Sequence, residues 1–210
     1  GRGSTGGAVN QVNKQPLLAD QHEVGLTVGT GDYARTTGDF NIQTSETSAV
    51  RLNVMGNVAD NSGNDIKRAG IAPTFRWGIG TDDEFTLGFY YLKNDNGINY
   101  GLPWLTPGTQ NGGDYLWNTD PDNYYGMASD YNKTGTTQYY GSHLHRLESG
   151  GEIKTQLRVA TYNRDQRAST IRWGNASLQP TGQTVTSDNV SDSTVLTRGT
   201  SVKIQDMQTQ

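Results

Sequence analysis

The feature that most restricts this chain is a two-residue alternation of apolar and polar side chains, repeated in runs of about 10 residues. Val50, Leu52, Val54 and Val58 alternate with Arg51, Asn53 and Asn57. Ala69, Ile71, Phe75, Trp77 and Ile79 alternate with Arg68, Gly70, Thr74 and Arg76. Phe85, Leu87, Phe89 and Tyr91 alternate with Glu84, Thr86 and Gly88, and Ile153, Leu157 and Val159 with Lys154, Gln156 and Arg158. Weaker alternation occurs at Val24, Leu26 and Val28 and around Phe40 and Ile42. Successive side chains of a strand point to opposite faces, so each run predicts a strand with one apolar and one polar face. A tilted strand of about 10 residues is long enough to cross a bilayer.

The connections fall into two alternating classes. Short turns are expected at Thr44 to Glu46, Gly80 to Asp83 and Ser149 to Gly151. The others are polar and lengthen along the chain: 31–33, 61–65, 95–136 and 166–198. An up-and-down membrane barrel has short periplasmic turns and longer extracellular loops. The polar face carries Arg51, Arg68, Arg76, Lys154 and Arg158. A small closed core cannot hide so many cations without partners. A wide, wet or plugged barrel interior can hold them. A one-layer antiparallel sheet with its polar face in water fits the same alternation. Pro73 interrupts one run; lacking an N–H, it argues against a central strand unless a bulge or a ladder end accommodates it.

Composition narrows the classes. The net charge is -4, with no run of basic residues, which argues against a nucleic-acid surface. The mean hydropathy is -0.72 and no apolar stretch is long enough for a membrane helix. A transmembrane barrel is compatible with both facts, because only every second residue of its strands meets lipid. The absence of cysteine excludes a disulfide framework and thiolate chemistry. No signal peptide opens the sequence, so it is expected to be a piece of a longer protein.

Few motifs suggest chemistry. Gly1 to Gly6 match G-x-G-x-x-G, but no strand precedes them and an alternating run, Ala8 to Asn13, follows. That context predicts a glycine-rich turn leading into a strand, not a dinucleotide site. His143 and His145 share a strand face, yet no carboxylate stands at a matching spacing, so no metal site is expected. The acidic stretches 60–65 and 120–123 do not fit a calcium loop. No G-x-S-x-G or H-E-x-x-H occurs, and no enzyme is expected. The 95–136 segment is unusual for its length and its aromatic content, including Tyr100, Trp104, Trp117, Tyr124 and Tyr125. Such a loop is a binding surface, or a lid packed on its own rings.

Several segments resemble the TonB-dependent siderophore receptors of bacterial outer membranes. Gly1 to Pro16 resembles the end of their plug domain, with its glycine-rich turn and N-x-x-x-K-x-P strand. Lys67 to Phe75 looks like their GIAP strand, and Gly78 to Thr81 with Phe85 to Leu87 like the next hairpin. Asn99 to Trp104 resembles the DYGIP start of a long extracellular loop, and Asn123 to Gly126 a later element of it. The matches keep the family's order over 1–165, while the tail from 170 matches poorly. The resemblance implies an all-β fold, part of an antiparallel transmembrane β-barrel of about 22 strands. Residues 1–18 would end the plug domain and 19–210 would begin the barrel, with loops at 95–136 and 166–198.

The implied function is uptake of a ferric siderophore at the outer membrane. Tyr100, Trp104, Trp117, Tyr124 and Tyr125 would line or lid the ligand entrance. No cofactor is expected, iron arriving only inside the siderophore. The implied partners are the ferric siderophore, outer-membrane lipid and lipopolysaccharide, and TonB through an upstream segment. The loop aspartates Asp95, Asp114, Asp120, Asp122 and Asp130 face one loop cation, Lys133, and would repel an anionic ferric catecholate. Cations from other segments, or a neutral hydroxamate-type ligand, would resolve this. A porin and a soluble all-β carbohydrate-binding domain are the competing readings. An upstream plug would exclude the first, and a need for detergent the second.

Overall fold

A computed structural model of the protein describes residues 13–99, 101–106, 116–117, 119–120 and 122–210. The glycine-rich turn at Gly1 to Gly6 and the run from Ala8 to Val12 therefore lie outside the described residues. Eight strands form one sheet in chain order: β1 (Gln21–Gly29), β2 (Tyr33–Ser45), β3 (Ser48–Asn61), β4 (Asn64–Trp77), β5 (Asp83–Asn96), β6 (Tyr131–Arg146), β7 (Glu152–Trp173) and β8 (Leu196–Thr209). Every neighbouring pair is antiparallel. Among the described residues no helix is long and apolar enough to cross a membrane.

Strand register converts the alternation into two continuous faces. Ile42, Val50, Phe75, Leu87, Gly141 and Leu157 stand in one row across β2 to β7. A slip of one residue in any pair would move an apolar side chain out of this row, so a single register satisfies every strand. The apolar face is not covered: Leu26 is 77% exposed, Leu87 60% and Leu157 72%. Large contiguous apolar surface of this kind is a liability in water and the required surface in lipid.

The connections separate by end. Residues 46–47, 78–82 and 147–151 are the short turns at one end; residues 30–32, 62–63, 97–130 and 174–195 lie at the other. Both long loops are thus on one side of the sheet. The expected loop 166–198 is shorter, because β7 continues to Trp173 and β8 begins at Leu196. The Asp130 carboxylate reinforces that extension by accepting the Ser169 N–H at 2.6 Å and the Ser169 hydroxyl at 2.9 Å. The expected loop 61–65 is a tight turn in which Ser62 and Gly63 both take positive φ, 52° and 77°, and Asn61 pairs with Asn64.

Pro73 corrects the expectation set on it. It lies within β4, a strand paired on both sides, opposite Leu52 of β3. The β4–β5 ladder passes from Ile71 opposite Tyr91 to Thr74 opposite Gly88 without a change of register. The missing donor is therefore absorbed by a local gap in the pairing, not by a bulge. Beside it, a Cβ on Gly88 would lie 2.1 Å from the Tyr140 ring. The bare glycine lets Tyr140 cross β5 and bond Thr74 Oγ1 through its hydroxyl at 2.8 Å.

These two faces predict an asymmetric cost of charge. Leu157→Arg places a cation in lipid and should lower the stability of the intact barrel by about 2 kcal/mol or more. Gln156→Arg, one residue away on the wet face, should change it by less than about 0.5 kcal/mol. Urea unfolding in phospholipid vesicles measures both, and equal effects would refute the assignment of faces.

Candidate functional site

The polar face is concave and is crossed by the segment that precedes β1. Asn41, only 1% exposed, grips that segment: its Oδ1 accepts the Leu17 N–H at 2.9 Å and its Nδ2 donates to the Leu17 carbonyl at 2.8 Å. Arg51 donates to Asp39 through Nε at 2.8 Å and Nη2 at 2.7 Å, and through Nη1 to the Gln15 carbonyl at 2.9 Å. Lys14 donates to the same aspartate at 2.6 Å. Arg76 pairs with Glu84 and donates to the Pro16 carbonyl at 3.2 Å. Arg146 reaches the other Glu84 oxygen at 3.3 Å. Each carboxylate thus meets two cations, and two of those arginines also bind the crossing chain. Charge-assisted bonds of this kind are the strong ones, and half-buried charges need them. Arg51 and Arg76 were legible as cations in want of partners; Asp39, Asn41 and Glu84 were not, because only the register brings them alongside.

Nearer the long-loop end, another row of the same face contains Arg35, Asn57, Arg68, Asn94, Thr134 and Arg164, in order across β2 to β7. Asn94 donates to Thr134 at 2.9 Å, and Arg164 Nε to the Gln166 side-chain carbonyl at 2.8 Å. The three arginines are exposed on the concave side, and among the described residues none forms an ion pair. A concavity of about 1070 Å³ between Arg35, Arg68, Asp60 and the long-loop residue Asp122 opens at this level. A second, of about 880 Å³, lies deeper and is lined by Lys154, Arg158, Tyr90, Tyr140 and Tyr162, with Asn13 and Gln15 at its border. The inner face therefore presents unpaired cations and tyrosine hydroxyls to whatever enters from the loop end.

The aromatic loop divides its residues between packing and exposure. Tyr100 lies outside the described residues. Tyr124 is half-buried; its ring packs over Gly63 and its hydroxyl donates to the Ile98 carbonyl at 2.9 Å. Burial, and then the charge of Asp130, push its hydroxyl above the ordinary tyrosine range, so it stays a donor. Tyr125 is held through its hydroxyl by Thr119 at 2.8 Å, and Trp117 is half-buried nearby in sequence. Trp104 is 69% exposed, and its carbonyl accepts the Trp173 indole N–H at 2.9 Å. Thr106 forms a parallel bridge with Thr186, and the Ser187 N–H donates to the Thr106 carbonyl at 3.1 Å. The structure thus ties Tyr124 to the β3–β4 turn, Trp104 to the end of β7 and Thr106 to the other long loop. Among the described residues, Trp104, Tyr124 and Tyr125 are held by different partners.

An antiparallel sheet with an exposed apolar face, a wet cationic face, short turns at one end and long loops at the other is the wall of a transmembrane β-barrel. No protein-family model matches the chain. It is 29% identical over 192 residues to the catecholate siderophore receptor Fiu of Escherichia coli strain K12, covering 86% of this chain and 25% of Fiu. It is 31% identical over 171 residues to the probable TonB-dependent receptor BfrD of Bordetella pertussis, covering 76% of this chain and 22% of BfrD. The closed form of the ferric-catecholate import receptor Fiu superposes with a TM-score of 0.82 at 24% identity, over 99% of this chain and 30% of that one. The siderophore receptor PiuA of Acinetobacter baumannii gives 0.69 at 26% identity, over 80% and 24%. The chain belongs to the TonB-dependent siderophore receptor family, and it spans about 25% of the length of Fiu.

The grip on the crossing segment is directly measurable. Asn41→Ala removes both bonds to Leu17 and leaves its N–H without a partner, while its carbonyl keeps the Ala19 N–H, at a cost of about 1–3 kcal/mol. The Leu17 amide should then exchange with solvent about tenfold faster or more. Hydrogen exchange on the intact protein checks this, and unchanged protection would refute the clamp.

Proposed function

We propose that the protein containing this chain imports a ferric siderophore of the anionic catecholate class across the bacterial outer membrane. The observation that supports this best is the row of Arg35, Arg68 and Arg164 on the concave face, cations that form no ion pair among the described residues. An anionic chelate entering between the long loops meets this row first, and then Lys154 and Arg158 below it. Fixed cations in a low-dielectric cleft attract such a ligand over several ångströms and hold it by charge-assisted bonds. The acidity of the long loop is offset in part. Asp130 is engaged by Ser169, and Asp95 lies 3.6 Å from Lys133. The cations that the loop lacks are supplied by the barrel wall, so the neutral hydroxamate reading is not needed. The names of relatives, Fiu above all, point to the same ligand class.

In this reading the residues up to 18 end a plug domain, clamped by Asn41, Arg51 and Arg76, and residues 19–210 are barrel wall. TonB acts through a segment upstream of the plug. The apolar face meets lipid and the outer leaflet's lipopolysaccharide. The residues do no covalent chemistry: they bind, orient and release. Trp104, Trp117, Tyr124, Tyr125 and Tyr100 line or support the entrance.

Arg68→Ala and Arg164→Ala, made separately in the intact receptor, should each weaken ferric-catecholate binding about tenfold, the loss of one charge-assisted contact. Binding of a neutral ferric hydroxamate should be unchanged. Intrinsic fluorescence quenching measures both affinities. Equal loss for the two ligands, or no loss for either, would refute the arginine row as the determinant. Replacing all five aromatic residues by Ala should weaken binding as well, and unchanged affinity would remove the loop from the site.

A further inference from the structure

On the opposite, apolar face, at the short-turn end, three metal-ligating side chains converge. His143 and His145 of β6 stand two residues apart, and β5 pairs so that Asp83 faces His145 and Phe85 faces His143. The Asp83 Oδ1 lies 2.7 Å from His143 Nε2 and 2.8 Å from His145 Nδ1. The three candidate ligand atoms all lie within 4.8 Å of one another. Their side chains are 40%, 41% and 49% exposed for His143, His145 and Asp83, which leaves room for water ligands. The His143 ring is fixed by stacking on Phe85 at 4.4 Å and 5°, and Phe85 stacks in turn on Trp77.

We propose that Asp83, His143 and His145 form a binding site for one divalent transition-metal cation of the zinc class, joining β5 to β6 at the rim of the barrel. Two imidazoles and a carboxylate make a borderline donor set that suits Zn²⁺, Ni²⁺ or Cu²⁺ and not Mg²⁺ or Ca²⁺. Coordination at about 2.0–2.2 Å requires the ligand atoms to spread by only a few tenths of an ångström from their hydrogen-bonded positions. The flanking β7 residues, Thr155 beside His143 and Ile153 beside His145, bring no charge. The nearby cation Arg146 is occupied by Glu84, Glu152 and the Thr81 carbonyl. Among the described residues nothing cationic competes for the Asp83 carboxylate. The plain alternative is a carboxylate hydrogen-bonded by two rings with no affinity for metal. The site is distant in role from the concave face, and the proposal does not rest on the siderophore reading.

The test uses the intact, untagged receptor in detergent micelles, titrated with Cu²⁺ and followed by electron paramagnetic resonance, with Zn²⁺ as competitor. One Cu²⁺ per chain should bind with a dissociation constant in the micromolar range, about 8 kcal/mol, with coupling to two ring nitrogens, and Zn²⁺ should displace it. His145→Gln and Asp83→Asn should each weaken binding about tenfold or more. The wild-type spectrum decides independently of the folding of either variant. Absence of saturable binding below about 1 mM, a spectrum without two nitrogens, or affinity retained in both folded variants would overturn the site.

Discussion

Lipid offers no hydrogen-bond partner, and the organisation of this chain follows from that fact. Backbone N–H and C=O groups can cross the bilayer only if neighbouring strands satisfy them. The sheet meets this demand with strands in chain order, each antiparallel to the last. Such an order needs only a turn at one end and a loop at the other, so every connection is local. It also makes register decisive. Because side chains alternate, one set of pairings places Ile42, Val50, Phe75, Leu87 and Leu157 in a single row facing lipid. The same pairings deliver the charged residues to the opposite face. Pro73, which cannot donate, survives because the ladder loses pairing at one short stretch and keeps its register beyond it.

The wet face then has two tasks at different depths. Near the short-turn end it uses charge for anchorage: Asp39 and Glu84 neutralise Arg51, Arg76, Arg146 and Lys14, and two of those arginines bind carbonyls of the crossing segment. Nearer the loops, Arg35, Arg68 and Arg164 form no ion pair among the described residues, although Asp60 and Asp122 line the same concavity as Arg35 and Arg68, and Asp206 stands opposite Arg164. The difference is one of pairing, since the residue types are the same. Anchoring cations are paired within the structure, while Arg35, Arg68 and Arg164 are held on strands with their charge exposed. The long loops sit above this second level and are bound to each other through Thr106 and Thr186 and to the wall through Asp130 and Ser169. They are thus positioned over the cationic row by polar contacts of their own.

The sequence by itself determined the runs of β1 to β5 and β7, their two faces and the alternation of short and long connections, because these depend on local spacing of two residues and on turn composition; β6 and β8 carry no such run. It also showed that Arg51, Arg68 and Arg76 needed a wet face, inside a barrel or in solvent, since so many cations cannot be buried unpaired. The tertiary structure alone decided what depends on register between distant strands. It brings Asn41 to Leu17, aligns Arg35 with Arg68 and Arg164 across six strands, and sets Asp83 of β5 against His143 and His145 of β6. It also moved the loop boundaries, because β7 continues past its pairing with β6 along β8. A strand's own sequence specifies which way its side chains point; which side chains become neighbours is fixed only when the backbone hydrogen bonds choose one alignment out of many.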